Sequence, residues 1–99
     1  MRLKPHQIEI IRRAVAELAG DDAQVSLFGS RADDNARGGD IDLLVEVQHH
    51  VDEPAWLSAR ISGRISFRLG GQKIDVVLSA PNLEHFPIHY VAKKQGIAL

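Results

Sequence analysis

Cysteine is absent from the 99 residues, and aromatics are scarce: three Phe, one Trp and one Tyr. Without cysteine there is no disulfide framework of the kind that holds small secreted domains together. An excess of charge of one sign is missing too. Lys and Arg number 12 against 13 Asp and Glu, for a formal net charge of -1, so nothing marks a general nucleic-acid binder. Apolar runs fall far short of the ~20 residues that a membrane span needs. The opening Met1-Arg2-Leu3-Lys4-Pro5 has neither an apolar secretory core nor a small-residue cleavage site. These absences predict a soluble, cytoplasmic chain with no membrane segment and no direct nucleic-acid binding.

What is present fits one domain over residues 1–99. With 44% hydrophobic and 25% charged residues the chain is too apolar and too nearly neutral for a disordered tail. A chain of this length buries one modest core and has no room for a separate substrate-binding domain. Any enzyme here therefore borrows its second wall from a partner protein or from a second copy.

Apolar residues at Ile8, Ile11, Val15 and Leu18 are spaced by three and four, which predicts a helix over 6–19 with Arg12, Arg13 and Glu17 off the stripe. Gly20 and Asp21-Asp22 stop it. A short strand follows over 24–28, ended by Gly29-Ser30, and a polar stretch over 31–39 leads into the clearest strand, 40–47. Alternation there places Asp40, Asp42, Leu44 and Glu46 on one face and Ile41, Leu43, Val45 and Val47 on the other. One face is core, and the other begins with two acids.

Pro54 suits the first turn of a helix reaching about residue 69, with Leu57, Ile61, Ile65 and Leu69 as its buried stripe and Arg60, Arg64 and Arg68 as a basic row beside it. Residues 73–79 predict a third strand, and Pro81-Asn82 opens a short C-terminal helix. The fold class is α/β, grouped with α+β in some schemes: a small mixed sheet with packed helices.

Asp75 is the anomaly, a carboxylate interrupting an apolar strand, which is costly unless paired, hydrogen-bonded or bound to metal. Asp40 and Asp42 lie two apart on a strand and leave one face, so both can hold a divalent cation or bridge two. Mg²⁺ takes hard oxygen ligands, and two ions ~3.5–4 Å apart serve to activate an attacking oxygen and to neutralise a triphosphate. Asp75 is the third candidate ligand. Gly29-Ser30 offers a close backbone approach and donors for phosphate oxygens, and Arg31 a charged donor.

Phe28-Gly29-Ser30-Arg31-Ala32, then Gly39-Asp40-Ile41-Asp42-Leu43-Leu44-Val45, and later Lys73-Ile74-Asp75-Val76-Val77 resemble the minimal nucleotidyltransferases of the DNA polymerase beta superfamily. The resemblance covers almost the whole chain. It implies metal-dependent transfer of AMP from ATP with release of pyrophosphate, with Asp40, Asp42 and Asp75 as metal ligands and catalytic acids, two Mg²⁺ ions, and Gly29 and Ser30 at the nucleotide phosphates, where Arg31 is the added nucleotide-binding donor expected from its own chemistry. It also implies an antitoxin acting on a helical HEPN-type toxin, with adenylylation of a protein hydroxyl as its chemistry. The spacer over 31–39 is one residue shorter than usual in the family, and Gly39 stands where a Ser often precedes the acid.

Other features weigh less. Asp33-Asp34-Asn35-Ala36-Arg37-Gly38 looks like the start of a calcium loop, but Arg37 occupies a ligand position and Leu44 the place of the bidentate Glu. His85 and His89 share a helix spacing without a third zinc ligand. His49-His50 reads as loop, the Arg60, Arg64 and Arg68 row as a solvated face, Trp56 as a core anchor, and Glu46 as exposed.

Overall fold

A computed structural model describes residues 1–33, 35 and 39–99. Asp34 and residues 36–38, four of the six positions of the calcium-loop lookalike, lie outside the described residues.

Seven elements follow one another: α1 (Pro5–Ala19), β1 (Gln24–Phe28), β2 (Ile41–Glu46), α2 (Pro54–Arg68), β3 (Ile74–Ser79), α3 (Pro87–Gln95) and β4 (Ile97–Ala98), with a 3₁₀ turn at Gly29–Ala32. The sheet order is β3-β2-β1-β4. β1 runs antiparallel to β2 and to β4, whereas β2 and β3 are parallel, joined by the α2 crossover that parallel strands require.

One sheet face carries the main core. Ile11, Ala14 and Val15 of α1 and Ile61 and Ile65 of α2 pack with Leu27, Ile41, Leu43 and Val45 of the sheet. Burying a Leu, Ile or Val side chain is worth about 1.5–3 kcal/mol each, and this face supplies most of that stabilisation. Leu57 and Leu69 complete the α2 stripe, partly buried. Where the helices meet, Arg64 and Arg68 both reach Glu17 at 3.0 Å, so two of the three row arginines clamp α2 to α1 instead of lying in solvent. Their hydrogen bonds, Arg68's foremost, hold the Glu17 carboxyl below the usual carboxylate range.

The opposite face is covered along part of its length. Phe28, Leu44 and Ala92 form a second cluster with Val77 beneath α3, so the acid-bearing face turns apolar one register step beyond Asp42. Glu46, expected in solvent, is half-buried there with Lys93 Nζ 3.9 Å away.

Several expectations shift. β2 starts at Ile41, leaving Asp40 just before it, and β3 starts at Ile74. The last helix begins at Pro87, not near Pro81: the Phe86 N–H donates to His89 Nδ1 at 2.9 Å, and His89 Nε2 in turn donates to Leu78 O at 3.0 Å, pinning α3 to β3. Both nitrogens of His89 are thereby used for structure. β4 was not anticipated because two residues carry no period. Trp56 is 63% exposed rather than a core anchor, and Phe67 is 87% exposed on the same helix. Among the described residues no helix is long and apolar enough to cross a membrane.

Candidate functional site

Strand register assembles the site. Asp42 is the Cα partner of Phe28 on one side and of Asp75 on the other. Cross-strand partners share a face, so two carboxyls 33 residues apart in sequence stand side by side on neighbouring strands. They lie within hydrogen-bond reach of each other. Burial, then the charges of Asp75 and Asp40 and that hydrogen bond, push the Asp42 carboxyl above the usual carboxylate range; Lys73 opposes them.

The chain continues from Phe28 straight into the turn beside Asp42. Gly29 has φ +73°, a conformation that L side chains rarely adopt, and a Cβ built there would run into Asp42 Oδ2 and lie 3.1 Å from its Cγ. Glycine is thus required twice over: by the backbone angle and by the carboxylate pressed against it. Ser30 follows in the same turn, half-buried.

Asp40 sits apart. Its carboxylate is half-exposed and 3.5 Å from Lys73 Nζ. Among the described residues no three or more His, Asp or Glu side chains form a ready metal-binding group. The structure therefore brings Asp42 and Asp75 together directly and leaves Asp40 within electrostatic range, held by a lysine. Two adjacent carboxylates whose repulsion is relieved only in part suit a hard divalent cation, and Asp40 is the nearest further oxygen donor in sequence.

Arg31, expected at phosphate, is engaged with protein. Its Nη1 donates to Arg2 O at 3.0 Å, and its Nη2 donates to Gly39 O at 3.0 Å and to Gln72 Oε1 at 3.3 Å. Lys73, Gln72 and Arg2 were invisible to sequence reasoning, since contacts spanning 28 to 41 residues leave no periodic trace. His85 meets Ser79 Oγ at 3.1 Å far along the sheet and does not join the acids. A groove between α1 and the β1/β4 edge contains none of them either. The acids stand instead at the entries to β2 and β3, beside the end of β1.

A strand, a glycine-serine turn and paired acids on parallel neighbours now have their comparison. The family model for the nucleotidyltransferase domain matches residues 8–95, from the first turn of α1 to the end of α3, and takes in the turn and all three acids. Comparison with curated proteins returns no match. With nearly its full length inside that match and its acids set at the strand entries, this chain belongs to the nucleotidyltransferase domain family.

Proposed function

We propose that the protein transfers AMP from ATP to a hydroxyl of a protein acceptor, and that it serves as an antitoxin acting on a helical HEPN-type toxin in the cytoplasm. The observation that carries this reading is the Asp42–Asp75 pair with Gly29 seated against it. Asp42 and Asp75, joined by Asp40, would hold Mg²⁺, which supplies neutralisation of the triphosphate and activation of the attacking oxygen.

The chain's own residues do the positioning. The turn at Gly29 and Ser30 offers its backbone and hydroxyl to phosphate oxygens. Asp75 would help activate the attacking hydroxyl, taking up its proton as the acceptor oxygen bonds to the α-phosphorus and the bond to pyrophosphate breaks. In-line attack needs the acceptor hydroxyl held, and none of the grooves found among the described residues takes in the acids, which supports a macromolecular acceptor.

The Lys73–Asp40 ion pair favours a second reading, an antitoxin that neutralises by contact alone. The two separate on incubation of the purified chain with Mg²⁺ and α-labelled ATP, with and without cell lysate. Label entering a protein, and lost in Asp42→Ala, supports transfer. Absence of label in every fraction, alongside co-purification of a helical partner, would reject it in favour of contact.

A further inference from the structure

Three separate pieces of chain must stay in fixed relation for the site to exist: the 3₁₀ turn, the entry to β2 and the entry to β3. We propose that Arg31 and Gln72 act together as positioning residues that set this relation, and that Arg31 works through the protein rather than on nucleotide phosphate. The inference rests on the nucleotidyl-transfer reading above.

The hydrogen bonds converge on two carbonyls. Gly39 O, one residue before Asp40, accepts from both Arg31 Nη2 and Gln72 Nε2. Lys73 O, two residues before Asp75, accepts from Gln72 Nε2 at 3.3 Å and from Ile41 N at 3.1 Å. Gln72 Oε1 closes the circuit by accepting from Arg31. The turn is tied in through the N-terminal segment: Arg2 N donates to Arg31 O at 2.7 Å and Arg2 Nη2 to Ser30 O at 3.1 Å, while Arg31 Nη1 holds Arg2 O.

Side-chain chemistry explains the choice of residues. A carboxamide both accepts from a guanidinium and donates to carbonyls, which a carboxylate of the same length cannot do. A guanidinium presents donors in a rigid fork, whereas an ammonium is a single mobile point. Arg31 Nε is buried without a hydrogen-bond partner among the described residues. Such a cost is tolerated where geometry matters more than local satisfaction.

The test uses the full chain with Arg31→Lys, Gln72→Ala and the double variant. Amide hydrogen exchange comes first. The brace predicts faster exchange at Ile41 and Asp33 in both single variants, with the sheet centre at Leu27 and Val45 unchanged. Transfer kinetics follow: each single variant lowers kcat ~10- to 100-fold through displacement of the acids, the double is no worse than the worse single, and KM for Mg·ATP changes less than kcat does.

Retention of charge decides the alternative. If Arg31 binds phosphate directly, Arg31→Lys keeps much of the activity, KM rises more than kcat falls, and effects of the two substitutions multiply; that result overturns the brace, as does unchanged exchange at Ile41 and Asp33. If the wild-type chain shows neither transfer nor binding of Mn²⁺·ATP by electron paramagnetic resonance, the transfer reading fails, and the exchange experiment still decides whether the brace exists.

Discussion

Replacing Asp42 by asparagine removes one of two like charges held side by side while keeping shape and a hydrogen bond to Asp75. Adjacent strands lie ~4.8 Å apart, and two unit charges at that separation repel by about 3 kcal/mol at an effective dielectric constant of ~20. Both carboxyls are half-exposed, and solvent screening reduces the repulsion to about 1 kcal/mol. At this chain length that corresponds to a rise in Tm of roughly 4–8 °C for Asp42→Asn in chelator at neutral pH.

The pH dependence has a definite sign. Because the folded carboxyl lies above its ordinary range, the unfolded chain loses its proton first as pH rises, so the wild type loses stability between the ordinary carboxylate range and the raised value. Below that window both states are protonated and the two proteins should melt together. Added Mg²⁺ should raise the wild-type Tm and leave Asp42→Asn nearly unmoved. Circular-dichroism melts from acid to neutral pH, with and without Mg²⁺, measure all of this. A variant that melts below wild type in chelator, or a gap that persists in acid, would refute the argument from crowded carboxylates.

Three further outcomes are expected. Gly29→Ala meets both a positive φ and the Asp42 carboxyl, and should cost roughly 1–3 kcal/mol in urea denaturation and abolish transfer. Ile61→Ala, at a fully buried position on α2, should cost roughly 2–5 kcal/mol in the same denaturation assay. Glu17→Gln should lower the urea midpoint at neutral pH and low salt, and the difference should vanish in high salt and as pH falls through the depressed carboxyl value, since a carboxyl held low stabilises the fold only while ionised.

Periodicity exposed the elements that bury a stripe. α1, β1, β2, α2 and β3 were each legible because Ile11, Val45, Ile61 and their neighbours must face one core. The start of α3 was not, because Pro81 and Pro87 signal equally well and only the contact of His89 with Leu78 O selects the second. Trp56 misled for a related reason: an aromatic on a helix suggests core, yet its place is set by which stripe meets the sheet. The acids and the glycine-serine turn were visible as motifs. Their spatial relation was not, and the ion pair of Asp40 with Lys73 and the engagement of Arg31 depend on folded distances that no local pattern encodes.

The parallel pairing of β2 with β3 acts as a ruler. Asp42 and Asp75 are neighbours because backbone hydrogen bonds fix their register, so the spacing of the carboxylates is independent of how long the intervening crossover is. Lengthening the chain near Gly70 and Gly71 would leave the pair intact. One extra residue inside β3 ahead of Asp75 would instead rotate its carboxyl to the helix-covered face, taking it from beside Asp42 and burying its charge. Drift in this protein's length is therefore cheap in the connections and forbidden along two short stretches of ladder.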